Sequence, residues 1–265
     1  MRDYIKYILI FLSLVIVFPL LAQTGFGGTP PSWSIPKTKL KSNTELKSHV
    51  ISSPFTIEQL LKDEEESDDM PERVGINLST NLSLAEDGEW DELPSGERIC
   101  RLKIESFGAL AISLYYSKFE IPQGAQLYIY NGEHTHLLGA YTSKTNPSGE
   151  AFATEFVAGD NLILEYVASS LYDRPEIIIE KICYGYKNLK VATSDKLSCM
   201  VDVVCSEGAN WNAEKDGVVK MITTIGNYSY LCSGTLLNNT SEDCTPYLYT
   251  AFHCLVGDGR VASAI

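Results

Sequence analysis

Between residues 96 and 187 the chain runs in short alternations of apolar and polar residues. A repeat of two puts one face of a strand in a core and cannot make a single helical face. Arg98-Ile-Cys-Arg-Leu-Lys-Ile104 alternates in this way, and Ala111-Ile-Ser-Leu-Tyr-Tyr116 and Ala125-Gln-Leu-Tyr-Ile-Tyr130 follow. Segments 137–142, 151–156, 161–166 and 176–182 complete the set. Turn residues separate them: Pro122-Gln-Gly124, Asn131-Gly132, Asn146-Pro-Ser-Gly149 and Gly159-Asp160. About seven short strands without a helical period predict an all-β fold, with an antiparallel β-sandwich over residues 96–190. Cys100 falls in the first strand and Cys183 just after the last, and since first and last strands often pair in sandwiches, a Cys100–Cys183 bridge between the domain's two ends is a candidate. His134 and His136 share one face of a hairpin end but lack a third ligand, so they read as exposed turn histidines. Tyr115, Tyr116, Tyr128 and Tyr130 read as alternating core and partly exposed positions, and no site is assigned to them.

The flanks set the compartment. Arg2 and Lys6 precede an apolar run from Ile8 to Phe18, followed by Pro19-Leu-Leu-Ala22-Gln23. A basic head, an apolar run and a small residue before a polar one predict a signal peptide over residues 1–22, cut after Ala22. The run falls short of the roughly 20 apolar residues that span a bilayer. The chain is therefore expected to be secreted, with no membrane attachment after cleavage. Outside the cell, the seven cysteines imply disulfides, and no pair has zinc-site spacing, so no metal or other cofactor is expected. Seven is odd, which suits a chain whose partners lie further along, a free thiol or an intermolecular bridge. A net charge of −13 excludes binding to nucleic acid through a basic surface. Residues 23–95, with Pro30-Pro31 and the acidic run from Asp63 to Asp69, read as a linker or pro-region holding one short helix near Phe55–Leu61.

A second boundary is expected at the polar stretch Lys190–Lys196, after which residues 191–265 begin another β domain. Tyr230–Leu237 and Tyr247–Ala251 are β-rich, with Asn238-Asn-Thr-Ser-Glu-Asp243 as the turn between them. The second strand leads to His253-Cys254. By itself a histidine beside a cysteine is weak evidence for catalysis, and a structural histidine is the simpler reading. A Cys254–His253 nucleophile pair is poor, since neighbours on a strand face opposite ways and an oxidising compartment consumes the thiol.

The residues around it carry more. Cys232-Ser-Gly-Thr-Leu-Leu237 followed by Thr250-Ala-Phe-His253-Cys254 resembles the element that bears the histidine in trypsin-like serine peptidases. Ser198-Cys-Met-Val-Asp-Val-Val-Cys-Ser-Glu-Gly208 resembles the mature N-terminus of bacterial lysyl endopeptidases in particular. Arg101–Ile104 and Ile121–Asn131 are similar to the β-rich pro-domains of such precursors. The resemblance implies the N-terminal part of a trypsin-like double β-barrel over residues 191–265, following the sandwich as pro-domain. It implies His253 as catalytic base and a Cys232–Cys254 disulfide, which closes a loop of about two dozen residues and contributes roughly 3 kcal/mol. Cys199 and Cys205 would bond to cysteines beyond Ile265, and Cys244 has no counterpart.

The function implied is that of a secreted serine endopeptidase precursor, acting on proteins or peptides after lysine and accompanied by its own pro-domain. Lys190 and Lys196 are candidate processing sites. No Gly-Asp-Ser-Gly occurs, and Asp243 and Asp258 lie too near His253 in sequence to serve as the triad aspartate, so the chain to Ile265 is expected to be inactive alone. The rival reading is a secreted, non-catalytic β-sandwich binding or adhesion protein with a degenerate peptidase-like domain.

Overall fold

The computed structural model describes residues 25, 27–36, 40, 46–65, 71–169, 173–187, 206–241, 243, 245, 247–255 and 260–264. The expected signal peptide 1–22, the processing candidates Lys190 and Lys196, and Cys199, Cys205, Cys244 and Asp258 lie outside the described residues.

The fold is all-β, as the alternation requires. Its strands in chain order are β1 (Ser48–Val50), β2 (Arg73–Ser83), β3 (Glu89–Glu92), β4 (Arg98–Glu105), β5 (Ala111–Glu120), β6 (Gln126–Tyr130) and β7 (Leu137–Tyr141). They continue as β8 (Phe152–Ala153), β9 (Val157–Ala158), β10 (Asn161–Val167), β11 (Glu176–Gly185), β12 (Val218–Ile225), β13 (Tyr228–Leu237), β14 (Tyr247–Thr250) and β15 (Arg260–Ala264). The first sheet has the order β1-β4-β10-β6-β7, with β3 also on β4. The second has the order β15-β12-β13-β2-β11-β5-β8, with β14 on β13 and β9 on β5.

The core forms where alternate residues of both sheets meet. In β4 the even residues Cys100, Leu102 and Ile104 enter it, and in β10 Leu162, Leu164 and Tyr166 do so from the neighbouring strand. The second sheet answers with Ile112, Leu114 and Tyr116 of β5 and Ile182 and Tyr184 of β11. In β11 the inward parity changes from Ile177 and Ile179 to Ile182 and Tyr184, because the register slips between Ile179 and Lys181. An extra residue in one strand reverses which side chains face in.

Two expectations need correction here. Much of the segment expected to be a linker or pro-region forms strands of the two sheets: β1 and β3 both pair with β4, and β2 lies in the second sheet. β2 lies between β11 and β13, so both edges of its backbone are hydrogen-bonded. Its apolar residues Val74, Ile76 and Leu78 alternate, but the intervening Gly75, Asn77 and Ser79 resemble loop composition. The short helix is found as α1 (Ile57–Glu65), with Leu60 2 % exposed in the main core.

Cys100 and Cys183 are both free and buried, and no bridge joins them. The expectation assumed that the strands bearing them are neighbours. Instead β4 belongs to the first sheet and β11 to the second. Cys100 points between the sheets, where its thiol donates to the Leu84 carbonyl oxygen at 3.1 Å. Cys183 stands between the inward-facing Ile182 and Tyr184, so it projects from the opposite face of its sheet.

The strands beyond residue 205 do not stand apart from the sandwich. β13 pairs antiparallel with β2, through Tyr228–Ile76, Ser229–Gly75 and Tyr230–Arg73, and this extends the second sheet into β12, β14 and β15.

Candidate active site at the end of the hairpin

β12, β13 and β14 form an antiparallel unit with Met221 opposite Cys232 and Gly234 opposite Thr250. The small-residue run in β13 has a steric cause. A Cβ on Gly234 would stand 2.8 Å from Leu248 Cδ1, 2.8 Å from Met221 Sδ and 3.2 Å from the Tyr249 carbonyl oxygen, so only glycine lets both neighbours close over this point. Thr250 ends β14 by donating its hydroxyl to the Ser233 carbonyl oxygen at 2.7 Å.

His253 was expected at the end of a strand, but it lies in a 3-10 turn, Phe252–Leu255, that begins two residues after β14 stops. The Cys254 N–H closes that turn on the Ala251 carbonyl oxygen at 3.0 Å. The turn sends the two neighbours apart: Cys254 is 3 % exposed and joins Val219, Met221 and Cys232 in a small apolar cluster, whereas His253 faces outward. Cys232 and Cys254 are bonded to each other. The His253 ring and the two sulfurs lie within 4.8 Å of one another. Both sulfurs are committed to the disulfide and neither can be a thiolate, so the trio is not a metal-binding set. The result is an accessible imidazole on a cross-linked backbone.

Asp243, expected not to be the triad acid, is engaged in its own turn. It accepts from Asn239 Nδ2 at 2.5 Å and from the Thr245 N–H at 3.0 Å. The Asn239 hydrogen bond, with those from Thr245, holds its carboxyl down at about 2. The Cys100 and Cys183 thiols take no part in chemistry here, because burial pushes both up to about 12. Of the hairpin histidines, His134 stacks on Trp33 with ring centroids 4.5 Å apart, and His136 Nδ1 accepts from the Ala158 N–H at 3.0 Å. They act separately.

Sequence reasoning missed a buried carboxyl group. Glu165 is fully buried on β10, 0 % exposed, on the face of the first sheet turned away from the main core. Its signal was a lone carboxylate among Leu162, Ile163, Leu164, Tyr166 and Val167.

The likeness to lysyl endopeptidases comes from the comparisons, and it includes the segment that holds this hairpin and its histidine. Residues 193–265 match the family described as lysyl endopeptidase, C-terminal domain. The chain is also similar to the lysyl endopeptidase of Pseudomonas aeruginosa, 26% identical over 223 residues, covering 73% of this chain and 45% of that protein. It therefore spans less than half the length of that relative. No solved structure matches.

Proposed function

We propose that this chain is part of a secreted serine endopeptidase precursor that cleaves protein or peptide substrates on the carboxyl side of lysine, with His253 as the general base. In that reaction His253 takes the proton from a serine hydroxyl attacking the scissile carbonyl and returns it to the leaving amine. The observation that carries this reading is the position of His253. It is exposed beside a buried bridge to Cys232, inside the segment that matches the lysyl endopeptidase domain.

A second feature supports it. Leu237, Tyr247 and Tyr249 are exposed on one face of the hairpin, and Phe252 follows them at 85% exposed. Apolar surface gathered at one place suits an interface with more protein. On this reading a further part of the barrel covers it and supplies the triad aspartate, the serine and partners for Cys199 and Cys205. The sandwich serves as pro-domain, and maturation cuts at Lys190 or Lys196.

The test uses the whole secreted precursor encoded by the gene. Wild-type protein is expected to hydrolyse lysyl amides, and His253→Ala to lower kcat by about 10⁴-fold or more. Sequencing the mature N-terminus is expected to give residue 191 or 197. A reading frame without a serine nucleophile, or an unimpaired His253→Ala enzyme, would overturn the proposal in favour of a non-catalytic binding protein.

A further inference from the structure

The outer face of the first sheet is covered by the chain's own segment Gly27–Pro36, whose sequence is Gly-Gly-Thr-Pro-Pro-Ser-Trp-Ser-Ile-Pro. It makes contact in two ways. At one end it extends the sheet edge: Gly27 N–H donates to the Gly139 carbonyl oxygen and Ala140 N–H donates to the Gly27 carbonyl oxygen, both at 3.2 Å. Gly28, at φ +101°, passes so close to Tyr128 that a Cβ would meet its hydroxyl at 2.9 Å. At the other end Pro30 and Pro31 lead into a 3-10 turn, Pro31–Ser34.

That turn fills a polar and an aromatic subsite. Ser32 donates its N–H to Glu165 Oε1 at 3.0 Å and its hydroxyl to Glu165 Oε2. Tyr130 donates its hydroxyl to the same Oε2 at 2.7 Å. Trp33 lies against His134, stacked at 4.5 Å, and meets Tyr130 edge-on at 5.2 Å. His134 is held for this by a turn in which its own φ is +57°, while Asn131 Oδ1 accepts from the Thr135 and His136 N–H groups. A buried carboxylate aimed at one serine, beside an aromatic slot and an open strand edge, is a built receptor for an extended ligand. Prolines pre-set the ligand's backbone and so reduce the entropy lost on docking.

We propose that the outer face of the first sheet is a binding site for proline-rich peptides of the type Pro-Pro-Ser-Trp-Ser, occupied in cis by Gly27–Pro36. Glu165 selects the serine through two charge-assisted hydrogen bonds, and the Tyr130–His134 pair selects the tryptophan. The fit leaves one donor over: Trp33 Nε1 is buried without a hydrogen-bond partner among the described residues. An unmatched buried donor weakens docking, in cis and equally for any peptide that brings the same tryptophan. The site lies on the opposite sheet from His253 and does not depend on the peptidase reading.

The experiment titrates a fluorescent synthetic peptide of residues 27–36 against the chain carrying Ser32→Ala and Trp33→Ala, which empties the site of its best ligand. Anisotropy is expected to show saturable one-to-one binding, and the same peptide with Ser32→Ala to bind about tenfold more weakly or worse. The unaltered chain should bind the peptide less well than the doubly substituted one, because its own segment competes. Absence of saturation up to ~1 mM peptide, or equal binding by the Ser32→Ala peptide, would overturn the site. Should the doubly substituted chain not fold, hydrogen exchange on the unaltered chain decides instead. The Ser32 and Ala140 amides are expected to be protected, and to lose protection together in Glu165→Gln while Leu102 keeps its own. Free-peptide exchange at Ser32 in the unaltered chain would sink the proposal.

Discussion

A single step of parity decides the fate of Cys100 and Cys183, the two free cysteines among the described residues. Cys183 sits between Ile182 and Tyr184, which both point into the main core, and therefore faces away from it. Its sulfur lies over Gly75 so closely that a Cβ there would come within 2.3 Å. Cys100 occupies the inward face of β4, in the other sheet. Burial keeps both thiols protonated to about 12, so the thiolate that reacts with alkylating agents is scarce at ordinary pH. The native protein at pH 8 is expected to leave Cys100 and Cys183 unmodified by iodoacetamide, and the unfolded protein to modify both. Peptide mapping of non-reduced material checks this, and a linked Cys100–Cys183 peptide would refute it.

At the scale of elements, the β13–β14 hairpin and the turn after it form a small unit of their own. Among the described residues, a small cluster of Val219, Met221, Cys232 and Cys254 with Leu248 packs against it. The disulfide joins positions 22 apart in sequence, and closing a loop of that size stabilises by about 3 kcal/mol. Replacing both partners, Cys232→Ala with Cys254→Ala, is expected to destabilise this unit by about 3 kcal/mol. Urea titration of the amides in β12 and β13, followed by hydrogen exchange, reads that loss. Those of β4 and β10, in the other sheet, should move little. Unchanged protection in β13 would show that the bridge constrains nothing. Here the sequence was legible: the turn-rich Asn238–Asp243 between β-rich runs gave the hairpin, and resemblance supplied the bridge. The ending of β14 at Thr250 was less so, because the 3-10 turn depends on the Cys254 N–H reaching back to Ala251.

Across the whole molecule, the second sheet runs from the sandwich into the histidine-bearing strands through β2 and β13. The junction is specific. The Asn77 N–H donates to the Asn227 carbonyl oxygen and the Leu231 N–H to that of Glu72, both at 2.7 Å. Ser229 donates its hydroxyl to Asn77 Oδ1 at 2.9 Å, and the Tyr115 hydroxyl lies 2.9 Å from that of Ser229. Arg73 sits over the Tyr228 ring at 4.1 Å, and Val74 packs with Ile222. The Asn77 and Leu231 amides are expected to exchange as one cooperative unit. Tyr115→Phe combined with Ser229→Ala should speed both by about tenfold. Rapid exchange at Leu231 with slow exchange at Asn77 would mean that the two parts of the sheet are independent.

What the sequence determined alone is what local periodicity can carry. Alternation over 98–182 gave strands and their two faces, Asn131-Gly132 gave a turn, and Cys232 through Cys254 gave the hairpin with its histidine. These follow from side-chain direction, which depends on neighbours a few residues away. Tertiary structure alone decided which strands meet. It inserted β2 from an apparent linker between β11 and β13, sent Cys100 and Cys183 to different sheets, and placed the Pro30-Pro31-Ser-Trp33 segment over Glu165. Strand pairing joins residues more than a hundred positions apart, and one bulge in β11 against β5 reverses its faces. No local pattern encodes that partnership, because the energy that selects it arises only when the two sheets close on a shared core.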